Sequence, residues 1–311
     1  MVDSVRSQPC AFAFPGVGSR LCGHEQPFFE RHERVMRPLL EQASAYARAD
    51  LMAMLRTPEA AEPSPLVAQL FCFGFGAAVG AAYRQAGFEP ALVAGHSMGL
   101  YAALVAAGAV GFADGLRITE HAHACAEQCC PPGDYDLAAV VGLTHGELAQ
   151  LAEGEAYPSV AIVNTNNDTS RVLAGRRTEL RALVAAALEL GAFKAQLLGA
   201  DLPYHHPRLL GAASPLLADF LRSLAWSPPR CPVISTLDGG LVQTPEALLE
   251  LTARNLATPI DWQAAVHTMA GQGVARALEC GAGLALTQNA RLVTPRPSFI
   301  SLKQSQGRLG V

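Results

Sequence analysis

The residues that could do chemistry are gathered at Gly95-His96-Ser97-Met98-Gly99. A short apolar run, Pro90 to Ala94, leads into it, and the alanine-rich stretch Leu100 to Ala107 follows. A strand, a hard turn and a helix packed directly behind it form a nucleophile elbow, which lifts a serine oxygen out at the top of a parallel sheet. Gly95 and Gly99 suit such a turn because a Cβ at either position would meet the neighbouring strand or helix. The start of the following helix also leaves backbone N–H groups without intrahelical partners, at the place where an oxyanion would form. Ser97 is therefore the candidate nucleophile. The plainer reading, a glycine-flanked serine in an ordinary strand–helix turn, is disfavoured by the strand before it and the helix after it.

A serine nucleophile needs a base, and the histidines stand at 24, 32, 96, 121, 123, 145, 205, 206 and 267. His96 is the neighbour of Ser97 on a tight turn, where successive side chains point apart. His205 lies in Leu202-Pro203-Tyr204-His205-His206-Pro207, a proline-bounded loop that could bring an imidazole over the C-terminal edge of a parallel sheet. On pattern alone a surface histidine fits that loop as well as a base. An unrelated lipase-type triad would run Ser, acid, His, with a late histidine. His267 is the only late candidate, and the helical pattern from Gln263 to Met269 is a poor place for a triad loop.

The elements that must position these groups alternate. Ala11 to Phe14 reads as a strand running into the Gly-rich loop Pro15 to Ser19, residues 25–56 as helical, and residues 64–86 as an apolar helix. Strand 91–95, helix 98–108 and a helix from Ala113 to Cys129 follow, an order that argues for a parallel sheet covered on both faces. Pro131-Pro132-Gly133-Asp134 breaks the composition. Beyond it come a strand (137–143), a helix (145–153), two strands (160–163 and 170–174) joined by the polar turn Asn164 to Thr169, a helix (178–190) and a strand (193–198). This β-α-β-β-α-β order is ferredoxin-like. The expected architecture is α/β: a large α/β-hydrolase-like domain with a parallel sheet, residues 1–130 and 200–311, interrupted by a small ferredoxin-like domain, residues 131–199.

Composition narrows the function. In a chain of 311 residues, half are hydrophobic and only 16% are charged, so a sizeable core is available. A net charge of -4 gives no reason to expect nucleic acid or an anionic membrane as partner. Lys194 and Lys303 are the only lysines. The eight cysteines include the cluster Cys125, Cys129 and Cys130, but no second cluster or spaced histidine pair completes a metal site, although His121 and His123 are close in sequence. Reduced thiols in a cytoplasmic protein are expected. Met1 to Cys10 has no apolar signal core, and the apolar stretch Leu66 to Tyr83 contains Gln69 and ends in Arg84-Gln85-Ala86-Gly87, as a buried helix would.

Five segments fall in order and spacing: Phe14-Pro15-Gly16-Val17-Gly18-Ser19, the elbow, Tyr204-His205, Thr258-Pro259-Ile260-Asp261-Trp262 and Glu279-Cys280-Gly281-Ala282-Gly283. Together they resemble the malonyl-CoA:acyl-carrier-protein transacylase family, which includes the acyltransferase domains of polyketide synthases and their free-standing relatives acting in trans. The resemblance spans almost the whole chain. It implies ping-pong acyl transfer: Ser97 attacks a thioester with His205 as base, and the phosphopantetheine thiol of an acyl carrier protein collects the acyl group. It also implies that the main-chain carbonyl of Asn255 orients His205 and that the N–H groups of Val17 and Met98 form the oxyanion hole. No cofactor would be bound; phosphopantetheine would arrive on the carrier protein or on an acyl-CoA.

The chain departs from the family where the substrate is read. An arginine on the second helix after the elbow pairs with the free carboxylate in malonyl-type members, and the matching position is Ala122. Arg117 is more than a turn away on another face, and burial would keep His121 or His123 neutral. The family's glutamine at 17 is Val17, its acidic residue after the elbow is Leu100, His206 replaces a small residue, and Leu202-Pro203 replaces a dipeptide tied to acyl choice. Ala122, His96, Leu202, Tyr204 and His206 are the expected pocket residues, and the expected acyl group carries no carboxylate and is bulkier than malonyl. Arg171, Arg176, Arg177, Arg208 and Arg296 are candidates for docking an acidic carrier protein, with scattered solvated arginines as the alternative. An editing hydrolase that strips acyl groups from carriers, or an ordinary malonyl transferase with a relocated cation, remains open on the same residues. A monomer is expected.

Overall fold

The computed structural model describes residues 8–18, 21–56, 63–153 and 155–308. Ser19, at the end of the first Gly-rich loop, lies outside the described residues. The larger sheet is built on β1 (Cys10–Phe14), which lies between β2 (Pro90–Gly95) and β10 (Arg276–Glu279). β11 (Ser298–Ile300) extends one side and β7 (Val233–Ile234) the other, all in parallel, and β8 (Leu241–Val242) closes the far edge antiparallel. Every residue of β1 is buried, as a strand covered on both faces requires.

The predicted long helical stretch 25–56 is three helices, α1 (Glu25–Arg31), α2 (Glu33–Ala47) and α3 (Leu51–Arg56). The break after α2 is made by Arg48, whose φ of 51° is left-handed and closes the helix as a C-cap does. The apolar helix α4 (Pro65–Gln85) starts on Ser64, whose hydroxyl accepts the Val67 N–H, with Pro65 in the first turn. α4 is long and apolar enough to cross a membrane by length and composition. It packs inside the larger domain instead, with Phe71, Phe73, Phe75 and Tyr83 in the core.

The elbow is held by close backbone contact. β2 ends at Gly95 and α5 (Gly99–Ala107) begins four residues later. A Cβ on Gly95 would sit 2.1 Å from the Leu100 nitrogen, and one on Gly99 would sit 2.2 Å from the Phe14 carbonyl oxygen. The next helix, α6 (Phe112–Cys129), packs against α4, α5 and the later α9 (Ala213–Leu221).

Tyr135 to Leu197 supplies the second sheet. β3 (Tyr135–Val141), β4 (Ala161–Asn167), β5 (Ser170–Arg176) and β6 (Lys194–Leu197) stand in the order β6-β3-β5-β4, antiparallel throughout. α7 (His145–Ala152) and α8 (Arg177–Glu189) complete the ferredoxin-like order. α7 opens with a reciprocal capping box between Thr144 and Glu147. Two features differ from expectation. The polar run Asn164 to Asn167 is strand rather than turn, and only Asp168 and Thr169 make the reversal. A fifth strand, β9 (Ile260–Asp261), joins β4 in parallel from outside the segment, so the Thr258–Trp262 motif ties the two sheets together. The Asp261 side chain then caps α11 (Trp262–Gly271) by accepting the Ala264 N–H, and Trp262 is fully buried.

Gly99→Ala is expected to cost about 3 kcal/mol or more, because the clash is with backbone that cannot rotate away. Gly146→Ala, on α7 with nothing within 4 Å of the added methyl, is expected to be neutral or stabilising by up to about 1 kcal/mol. Denaturant unfolding of the two variants measures the contrast.

Candidate active site

Ser97 stands at the apex of the elbow with φ of 56°, a left-handed conformation that costs a non-glycine residue of order 1–3 kcal/mol unless its surroundings impose it. Gly16 lies against it: a Cβ there would be 3.2 Å from Ser97 Cβ. The loop after β1 therefore runs beside the serine and carries Val17, half-exposed, with it. Among the described residues the backbone N–H groups of Met98 and Val17 have no hydrogen-bond partner. Met98 is the N-cap of α5, so its N–H belongs to the positive end of a helix.

His205 also has a left-handed backbone, with φ of 66°. Its Nε2 is 2.6 Å from Ser97 Oγ, and its Nδ1 is 2.7 Å from the Asn255 carbonyl oxygen. A carbonyl can only accept, so Nδ1 carries the proton and Nε2 is left to accept from the serine hydroxyl. Asn255 is the last residue of α10 (Pro245–Asn255), and its carbonyl is one of those a helix end leaves without an internal partner. The next carbonyl, Leu256 O, accepts the His205 N–H at 3.0 Å. The Asn255 amide reaches the other way and donates to the Ser97 carbonyl at 3.2 Å, so one residue touches both members of the pair. The sequence reading used only the carbonyl of Asn255. Burial pushes His205 down to about 4, against the opposing pull of the Asn255 carbonyl. The imidazole is neutral and ready to take a proton.

His96, expected in the pocket, is engaged with the small sheet and Trp262. Its ring lies edge-on to Trp262 at 5.5 Å, and its Nε2 is 3.2 Å from Asn166 Oδ1 and 3.0 Å from Asn164 Nδ2. Asn289 also donates to Asn166 Oδ1, at 3.1 Å. This explains why the asparagine-rich run is strand: its side chains are engaged across to the larger sheet, leaving the backbone free to pair. Burial lowers His96 to about 4 as well.

Of the residues expected around the acyl group, Ala122 and Leu202 are both buried in the main core. Tyr204 meets two residues that were not expected in the site. Gln69 Nε2 on α4 donates to its hydroxyl at 2.7 Å, and His123 Nδ1 on α6 is 2.9 Å from the same oxygen. His123 Nε2 is in turn 3.2 Å from Glu127 Oε1. The clue to Gln69 was a buried amide in an otherwise apolar helix. Arg117 is directed elsewhere, paired with Asp114 at 3.0 Å and lying over the Phe220 ring. His206 is not a pocket residue. It is fully buried, and both ring nitrogens are engaged, by the Ser159 carbonyl and the Leu209 N–H.

A cleft of about 510 Å³ opens beside the loop after β1, between Gly18, Leu21 and Cys22, β6 (Lys194, Gln196) and the segment Gly283 to Gln288. The far wall is held by Glu279, whose carboxylate accepts the N–H groups of Leu286 and Thr287 at the start of α12 (Ala285–Asn289). None of the five candidate docking arginines lines this cleft. Arg171 is buried and donates to the Asp168 carbonyl, so it is not a surface cation. Arg177 is spent on Asp136 and Asp201. Arg176 stacks over Tyr135, Arg208 donates to the Pro158 carbonyl and Arg296 to that of Val293. Among the described residues the cation lining the cleft is Lys194, on the edge strand β6, where sequence offered no signal beyond the rarity of lysine.

The domain match, the relatives and the solved structures of the same fold define the class, an acyltransferase. The chain belongs to the acyl transferase family, whose domain model matches residues 43–291. It is 31% identical over 290 residues to the malonyl CoA-acyl carrier protein transacylase of Escherichia coli K12, covering 89% of this chain and 90% of that one. It is 30% identical over 294 residues to the polyketide biosynthesis protein ThaF of Burkholderia thailandensis, 94% of this chain but 25% of that much longer protein. Among solved structures, an acyl-carrier-protein S-malonyltransferase from Burkholderia pseudomallei superposes with a TM-score of 0.87 at 30% identity, over 97% of this chain and all of that one. A malonyl-transacylase solved with its type II polyketide synthase acyl-carrier protein superposes with a TM-score of 0.86 at 27% identity, over 94% of this chain and 95% of that one.

Protonation of Nε2 would remove the acceptor for the Ser97 proton. With His205 lowered to about 4, the neutral form persists far below the usual histidine range. kcat/KM for Ser97 acylation is expected to stay flat between pH 7.5 and 5.5, whereas a histidine of ordinary pKa would lose about tenfold by pH 5.5. Stopped-flow acylation across that range measures it.

Proposed function

We propose that this enzyme moves an acyl group without a free carboxylate from a thioester, on CoA or a carrier protein, to the phosphopantetheine thiol of an acyl carrier protein through an acyl-Ser97 intermediate. The observation that carries the reading is the unbroken line Ser97 Oγ, His205 Nε2–Nδ1, Asn255 carbonyl. His205 Nε2 takes the Ser97 proton as Oγ attacks the thioester carbon. The oxyanion is met by the N–H groups of Met98, at the start of α5, and of Val17, on the loop after β1. Collapse breaks the C–S bond, and the departing sulfur takes the proton back from Nε2. The acceptor thiol then gives its proton to Nε2 and attacks the ester, and Ser97 Oγ leaves with that proton. The Asn255 carbonyl cannot take a proton; it holds the Nδ1–H tautomer and faces the imidazolium that forms in each half-reaction.

The lack of a carboxylate in the acyl group is supported by the neutrality of the acyl side. Ala122 offers only a methyl, Arg117 is paired with Asp114, and the one imidazole nearby is tied to Glu127. Leaving a carboxylate unpaired in a buried site costs on the order of 3–5 kcal/mol. The second reading, malonyl transfer, is favoured by the likeness to the malonyl CoA-acyl carrier protein transacylase of Escherichia coli and the S-malonyltransferase of Burkholderia pseudomallei. The likeness to ThaF favours a polyketide-type assembly line as the setting.

Intact-mass spectrometry after mixing with malonyl-, acetyl-, butyryl- and hexanoyl-CoA separates the readings. Acyl adducts are expected from the uncharged acyl groups at rates at least tenfold above malonyl, all lost in Ser97→Ala, and Ala122→Arg is expected to reverse the order. Fastest labelling of the unaltered enzyme by malonyl would overturn the carboxylate-free reading. Adding a holo carrier protein to the acylated enzyme is expected to move the mass onto the carrier; release as free acid instead would make the enzyme a hydrolase.

A further inference from the structure

His206 follows the proposed base and takes no part in the proton transfers, yet its ring is fully buried with both nitrogens in use. Its Nε2–H donates to the Ser159 carbonyl at 2.8 Å, and its Nδ1 accepts the Leu209 N–H at 3.1 Å. Its own N–H donates to the Pro203 carbonyl at 3.1 Å, closing a turn around His205. Two residues on, Arg208 Nη2 donates to the Pro158 carbonyl at 2.7 Å. The loop that carries His205 is thus fastened at two adjacent points to the segment between α7 and β4.

That anchor is itself fixed. The Ser159 N–H and hydroxyl donate to Glu179 Oε2 at 2.8 and 2.9 Å, and the hydroxyl oxygen accepts the Arg176 N–H at 2.9 Å. Glu179 is in the first turn of α8 and Arg176 ends β5, so the Ser159 carbonyl is held by a helix and a strand of the small sheet. From the other side, the carbonyls of Asn255 and Leu256 hold the ring and the N–H of His205. A left-handed non-glycine backbone persists only when its surroundings over-determine it. For His205 they do so from the small domain and from the end of α10 at once.

The geometry points to His206 as a positioning residue that ties the small sheet to the strained backbone of His205 and thereby sets the Ser97–His205 contact. This rests on the reading of His205 as the base. His206 touches neither substrate nor reacting atoms; it acts through its neighbour, and a displacement of about 1 Å at such a contact costs on the order of a hundredfold in rate. Its ring offers two separable bonds. Asparagine reaches as far as Nδ1 and can keep the Leu209 bond alone, while glutamine reaches as far as Nε2 and can keep the Ser159 bond.

The test is a two-by-two set of His206→Asn and His205→Ala, with His206→Gln as the rescue variant, scored by single-turnover acylation of Ser97. His206→Asn is expected to lower the acylation rate constant at least tenfold with the substrate half-saturation within about twofold, and His206→Gln to recover most of it. In the His205→Ala background the same substitution is expected to cost nothing further. If His205→Ala alone leaves acylation intact, the base reading fails. If His205→Ala abolishes the base-dependent rate but His206→Asn does nothing, or costs the same in both backgrounds, the positioning role fails. Should the asparagine variant not fold, His206→Phe, which fills the same buried space without hydrogen bonds, takes its place with the same expected and overturning results.

Discussion

A single hydrogen bond, 2.6 Å between Ser97 Oγ and His205 Nε2, spans 108 residues of sequence and sets the terms for the rest of the structure. To make it, the chain brings the start of one helix, α5, against the end of another, α10. The N-terminus of the first supplies the Met98 N–H where negative charge would develop, and the C-terminus of the second supplies the Asn255 carbonyl where positive charge would develop on the imidazole. Both partners adopt left-handed backbones, at Ser97 and His205. Strain that a domain tolerates at two facing residues marks a place that the packing around it was arranged to hold. The larger sheet does this for Ser97 through Gly95 and Gly99, and the end of α10 together with the small domain does it for His205.

The surroundings of that bond are polar but carry little net charge. His205 and His96 are both lowered to about 4 by burial, His123 is bound to Glu127 and Tyr204, and the asparagines at 164, 166 and 289 are engaged with one another and with His96. In a site excluded from water, fixed dipoles stabilise transient charge without having to reorganise when it appears. A mobile ion would have to be desolvated first.

Much of this was legible before any coordinates. The elbow was written in the spacing of two glycines, because only glycine allows the backbone approaches at 95 and 99. The small sheet was written in the alternation of short strands and helices between Tyr135 and Leu197. What misled was polarity taken as exposure. Asn164 to Asn167 looked like a turn because asparagines favour turns, and here they are strand because their side chains bond across to the other sheet. Arg171 and Arg177 looked like surface cations, and one is buried on a carbonyl while the other is paired twice. His206 looked like a pocket residue, and its ring is consumed by two backbone groups. Such errors share a cause: composition tells what a side chain can bond to, and partners distant in sequence decide what it does bond to.

The sequence by itself therefore determined the serine, the sharpness of the turn that presents it and the order of the elements, because these depend on local sterics and on periodicities that repeat every two or four residues. The family resemblance named His205 as the serine's partner, but only the tertiary structure showed what holds it there, that Gln69 and His123 face Tyr204, and that a two-residue strand at Ile260–Asp261 stitches the sheets together. Those outcomes rest on groups far apart along the chain competing for the same few buried donors and acceptors, and a competition of that kind is resolved only when the chain is folded.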